Sequence, residues 1–127
     1  MSTPPALPVP LVIFGAMAMS HVMFVAISFV VEGGGGNPSI GPFLVLPAAA
    51  TAGLSLVFPH LVGAKFDRLT AHIIRWALAE SATVIGFLAA FQGAPRLFQA
   101  ACTAMGLVAL FAAFPPRDLG AGQGKPR

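Results

Sequence analysis

Residues 11–31 read LVIFGAMAMSHVMFVAISFVV, 21 consecutive positions without a charged side chain. A bilayer core of about 30 Å takes roughly 20 helical residues at 1.5 Å each. The run has that length. It also lacks the period-two alternation of a barrel strand, so an α-helix is the structure that satisfies its backbone inside lipid. Three further runs of similar length follow, at about 42–62, 72–92 and 95–114. The expected fold is all-α: an integral membrane domain of four transmembrane helices in an up-down bundle, occupying the whole of residues 1–127.

Composition agrees. The chain is 57% hydrophobic and 9% charged, where a soluble domain carries roughly a quarter charged residues. Too little polar surface is present to cover a globule in water. The isoelectric point is near 10.0, but no basic run is interleaved with aromatics, which argues against nucleic acid. The lipid bilayer is the expected partner. Cys102 is the single cysteine. It excludes an internal disulfide and a CxxC site, and within an apolar run it serves as a small hydrophobe. The N-terminal segment is Pro-rich and without Lys or Arg, unlike a signal peptide, so the first run reads as a retained helix.

The breaks between runs are chemical. Glu32, four glycines and Asn37-Pro38-Ser39 form a turn; Gly93-Ala94-Pro95-Arg96 forms another; Pro115-Pro116 ends the last helix. Pro59 is expected to kink the last turn of the second helix. Residues 117–127 read as a disordered tail. With four spans, Lys65, Arg68, Arg75, Arg117, Lys125 and Arg127 fall on one side and only Arg96 on the other. The positive-inside rule then places both termini in the cytoplasm, with the chain in a cell inner membrane.

Small residues form ridges: Ala82, Gly86 and Ala90 on the third helix, Ala49 and Gly53 on the second, Ala100 and Ala104 on the fourth. Such ridges let helix backbones approach where lipid supplies no hydrophobic drive. They imply packing within the bundle, or contact with a second copy or a larger membrane complex.

Glu80 is the only acidic residue inside a run, about 3 Å from the centre of its helix at 1.5 Å per residue. A charge at that depth costs roughly 2.5–3.5 kcal/mol on insertion scales, so such a residue is a functional candidate by default. His21 lies at the centre of the first run, at matching depth. The expectation is a hydrogen-bonded Glu80–His21 pair within a polar layer that includes Ser20, Thr51, Thr83 and Thr103, with Ser81 and Cys102 close by. His60 and His72 fall near helix ends. His21 and His60 differ by about 10 Å in depth, which disfavours a bis-histidine haem. No carboxylate cluster has metal spacing, and no GxSxG, HExxH or P-loop motif occurs. Neither an enzyme nor a cofactor or metal site is expected.

The stretch Ile74-Arg75-Trp76-Ala77-Leu78-Ala79-Glu80-Ser81-Ala82-Thr83-Val84-Ile85-Gly86-Phe87-Leu88-Ala89-Ala90 resembles the carboxylate helix of proteolipid c subunits of rotary ATP synthases. By that resemblance Glu80 matches the proton-carrying carboxylate. The likeness spans 17 of the 127 residues. The second helix is alanine-rich where that family has alternating glycines, and the family's Arg-Gln/Asn-Pro loop is absent. Two functions follow as expectations. One is a structural or accessory subunit acting through helix–helix contacts. The alternative is a proton- or cation-linked conductor or transporter using Glu80.

Overall fold

The computed structural model describes residues 7–31 and 36–119. The described chain holds four α-helices and no strand: α1 (Val9–Val30), α2 (Gly41–Val62), α3 (Arg68–Phe91) and α4 (Arg96–Ala112). Single 3₁₀ turns, Pro38–Ile40 and Gly63–Lys65, bracket α2. Three helices, α1, α2 with its flanking turns, and α3, are long and apolar enough to cross a membrane; α4, with 17 residues, is shorter. Glu32 to Gly35 and residues 120–127 of the expected tail lie outside the described residues.

Local chemistry sets the helix ends. α3 begins four residues before the expected start because Asp67 caps it: its carboxylate accepts from the Thr70 backbone N–H at 3.0 Å and from the Thr70 hydroxyl. Those bonds, the hydroxyl's first, hold the Asp67 carboxyl below its ordinary range. Gly63, at φ 54°, stops α2, and Gly93, at φ 79°, makes the α3–α4 turn. A left-handed backbone is open to glycine without steric penalty. α2 continues as helix through Pro47 and Pro59 to Val62. The ordered chain also extends past the expected boundary at residue 117. Arg68 and Asp118 form an ion pair at 2.8 Å, and Leu119 is buried in the core.

α3 is the central helix, packed on α2, α4 and α1; α1 leans on α3 and, less extensively, on α4, with no extended contact to α2. Neighbours alternate in direction. Ser55, late in α2, donates to the carbonyl of Arg75, early in α3, at 2.8 Å, and the Arg75 Nε–H returns a bond to the Ser55 carbonyl at 3.1 Å. At the other end, Gly41 opens α2 against the ring of Phe98 in α4.

The interior mixes small and polar residues with a few large apolar ones, Phe14, Trp76 and Leu110, and the exterior is rich in large apolar ones. Ala48, Ala79, Ala82 and Cys102 have no exposed surface, while Leu46, Leu61, Leu97 and Val108 are largely exposed. Phe14, His21 and Ser28 are buried along α1 at intervals of seven, as are Gly41, Ala48 and Ser55 along α2. Seven residues are close to two turns, the narrow seam of helices that cross at a small angle. Of the expected ridges, Ala82 and Gly86 are spent inside the bundle: a Cβ on Gly86 would lie 2.7 Å from that of Cys102. The ridge residues Ala49, Ala100 and Ala104 are exposed.

Candidate functional site

The seam of α1 sets three layers along the bundle. At the end where α1 begins, Phe14 packs edge-on against Trp76, Phe111 and Phe114, with centroids 5.8, 5.7 and 4.9 Å away. Such T-shaped pairs match the electron-rich face of one ring to the edge of the next. The Trp76 indole N–H donates to the carbonyl of Ala113 at 2.8 Å, which ties the start of α3 to the end of α4.

His21 lies two turns on. It is 1% exposed. Its Nδ1 bonds the Met17 carbonyl at 2.8 Å. A carbonyl only accepts, so Nδ1 carries a proton, which leaves Nε2 as the ring's other hydrogen-bonding atom. That atom has no hydrogen-bond partner among the described residues, and neither has Thr83 Oγ1 or Thr103 Oγ1. His21 Nε2 and Thr83 Oγ1 both lie within 3.3 Å of the point a Cβ on Gly106 would occupy. α1, α3 and α4 therefore converge on a glycine, with two hydrogen-bonding atoms and no methyl group between them.

Glu80 is not paired with His21. The Ser20 hydroxyl meets it instead, at Oε1, and also lies 2.7 Å from the Met17 carbonyl. Helix geometry gives the reason. Ser20 and His21 are consecutive, so they leave α1 about 100° apart. One reaches the half-buried Glu80 at the α1–α3 edge, and the other enters the space between α3 and α4. No salt bridge to Glu80 forms among the described residues. Of the other residues expected in the polar layer, Thr51 and Ser81 bond carbonyls of their own helices, those of Ala48 and Ala77. Thr83 and Thr103 are buried beside the His21 level. The layer is thus two separate groups, Ser20–Glu80 and His21–Thr83–Thr103.

The third layer was not foreseen. Gln99 Nε2 donates to Ser28 Oγ at 2.6 Å, and the guanidinium of Arg96 donates through Nη1 to Ser28 Oγ at 2.9 Å and to Gln99 Oε1 at 3.2 Å. Ser28 passes its own proton to the Val25 carbonyl at 2.6 Å. Arg96 also stands 4.7 Å over the ring of Phe29. Ser28 and Gln99 are 4% and 5% exposed. The signal for this clasp was the seven-residue spacing Phe14–His21–Ser28, which puts Ser28 on the seam.

Among the described residues no group of three or more His, Cys, Asp or Glu is placed to hold a metal ion. No family model, curated protein or solved structure matches the chain.

Proposed function

We propose that this chain is a multi-pass membrane protein with four spans and both termini in the cytoplasm of a cell with an inner membrane, and that it acts as an accessory subunit by helix contact with a further copy or a larger complex. An exterior rich in exposed Leu, Val and Phe, over an interior that holds His21, Ser28, Ser55, Thr83 and Gln99, supports lipid as the solvent. α4, at 17 residues, meets the short end of the roughly 17–25 residues that span a bilayer.

The observation that carries the accessory reading is Gly53. A glycine inside a helix costs about 1 kcal/mol relative to alanine, and the interior offers no reason for this one: a Cβ built there meets nothing within 4 Å. It sits in an outward groove of about 370 Å³ between α2 and α4, walled by Ala49, Ala104 and Val108. A groove floored by small residues takes the ridge of another transmembrane helix at close range. The test is native mass spectrometry after gentle extraction. Wild type should appear in a complex and Gly53→Leu, which has room to fold, should appear alone. A monomeric wild type, or an unchanged complex in the variant, would sink the reading.

Glu80 supports the second reading, a proton- or cation-linked conductor, in line with its resemblance to the proteolipid carboxylate helix. Ser20 has one hydroxyl proton and two oxygen neighbours. The Met17 carbonyl and Glu80 Oε1 both accept, so the hydroxyl can serve only one of them at a time. Against a complete path, α3 from Val84 to Phe91 carries no polar side chain.

A further inference from the structure

We infer that the groove between α1 and α4 binds one anionic phospholipid, with its phosphate on Arg96 and one acyl chain laid along the helices. This rests on the membrane reading above. The groove, about 360 Å³, is lined by Val25, Phe29, Ala100 and Leu107 together with Arg96 and Gln99 from the start of α4. A recess of about 370 Å³ continues it toward the level of His21. Both exist because α1 rests mainly on α3 and leaves its contact with α4 slight.

Three features fit this occupant. First, the walls are aliphatic and aromatic, and the polar atoms beneath them, His21 Nε2 and Thr103 Oγ1, are sealed from the surface. A chain of methylenes matches such walls, and a hydroxyl or carbonyl head would find no accessible partner along them. Second, among the described residues lining the groove the one charge is positive. Arg96 has no carboxylate partner among the described residues. Its contacts are the neutral Ser28 and Gln99 and the ring of Phe29, and they use only Nη1 and the guanidinium face. The remaining N–H donors can take phosphate oxygens in the planar, forked geometry at which Arg excels. Third, those same contacts hold the guanidinium over the groove, so head and chain sites are built as one unit. Arg96, the only basic residue at this end of the bundle among the described residues, is thereby given a task that topology alone does not supply.

The experiment uses the full chain in nanodiscs of equal phosphatidylglycerol and phosphatidylcholine, followed by native mass spectrometry of the lipid retained on release. Wild type should retain phosphatidylglycerol over phosphatidylcholine by roughly fivefold, the effect of one basic side chain at a charged membrane surface. Arg96→Gln should bring the ratio to about one, and Arg96→Lys should keep part of it. Ala100→Leu should fill the groove and reduce retention of both lipids while Arg96 stays in place. Circular dichroism checks that each variant is folded. Equal retention in wild type, or full preference in Arg96→Gln, overturns the site. So does an Ala100→Cys crosslink to protein, which would place a helix in the groove. Recovery of the protein from the soluble fraction would instead overturn the membrane reading itself.

Discussion

Gly106 of α4 lies against Ala79 of α3 so closely that a Cβ on the glycine would sit 2.7 Å from the Ala79 carbonyl oxygen. The same Cβ would be 2.7 Å from Thr83 Oγ1. The carbonyl belongs to helical backbone and cannot move without shifting α3. Gly106→Ala should therefore destabilise the bundle by about 1–3 kcal/mol, the usual cost of overpacking. Gly53→Ala should do the opposite and gain up to about 1 kcal/mol from helix propensity. Unfolding of the two variants in mixed detergent micelles, followed by circular dichroism, checks the contrast. Equal effects would mean that the α3–α4 approach is looser than described.

That contrast marks what the sequence could tell. Both glycines stand in helical runs, and only Gly53 falls on one of the small-residue ridges. Which one packs inside depends on the rotation of each helix about its axis. Apolar residues occupy both lipid-facing and buried positions here, so apolar periodicity alone does not reveal that rotation. The number of helices, their type and their breaks at Pro38 and Gly93 were legible, because Gly and Pro act locally; the stop at Gly63 was not singled out. Asp67 as a cap was legible too, from its position before Thr70, but the apolar pattern drew the start of α3 inward to His72. The site was legible as residue types at one depth and not as pairs. Glu80, His21 and Ser20 share a level, yet only the roughly 100° step between adjacent residues decides which of Ser20 and His21 meets the carboxylate. Ser28 and Gln99 lie near helix ends, away from the depth of Glu80, where a polar side chain does not stand out.

Ser20 and Glu80 separate packing from proton transfer. Ser20→Ala removes the hydroxyl between α1 and α3, and should cost about 0.6 kcal/mol, typical of hydrogen bonds between membrane helices. Glu80→Gln keeps an oxygen and a hydrogen-bonding end of the same shape, and should change stability by no more than about 0.5 kcal/mol. In liposomes with an imposed pH gradient and a fluorescent pH reporter, the conductor reading requires flux in wild type and its loss in Glu80→Gln. Equal flux in both would remove Glu80 from any proton path.

Trp76 is the only tryptophan, and its N–H serves the Ala113 carbonyl just beyond the end of α4. Phenylalanine would fill most of the space but offer no donor. Trp76→Phe should cost about 1–3 kcal/mol, the penalty for a buried polar group left without its partner. Because wild-type fluorescence comes from this one fully buried indole, its emission should be blue-shifted and move to the red on unfolding. An exposed emission maximum in the folded protein would contradict the aromatic layer around Phe14.

Asp118 carries the pH dependence outside the helices. The hydrogen bond from Arg68 holds its carboxyl below the ordinary aspartate range. A depressed folded pKa contributes stability that is fully present above the unfolded value and is lost as pH falls through the folded one. The pairing of residue 118 with the start of α3 should therefore hold at neutral pH and release in acid. Hydrogen exchange at Leu119 and its neighbours should rise below about pH 4, the onset set by the unfolded carboxyl. Asp118→Asn should show the faster exchange at every pH, and high salt should mimic it because the pair is exposed. A pH-independent wild-type profile would show that burial of Leu119 alone fixes the segment.

Orientation can be read from two exposed turns. Ser39 precedes α2, and Lys65 lies in the turn that follows it. One crossing of the bilayer by α2 must put them on opposite sides. Among the described residues Arg68, Arg75 and Arg117 belong to the same end as Lys65, so that side should be cytoplasmic. In a Cys102→Ala background, Ser39→Cys should react with a membrane-impermeant maleimide on spheroplasts, and Lys65→Cys only after permeabilisation. The native Cys102, buried between α3 and α4, should stay unlabelled in the folded protein on either side. Labelling of both turns from the same side would show that α2 does not span. The reverse pattern would invert the chain and place the basic cluster, together with the Arg68–Asp118 clasp, outside the cytoplasm.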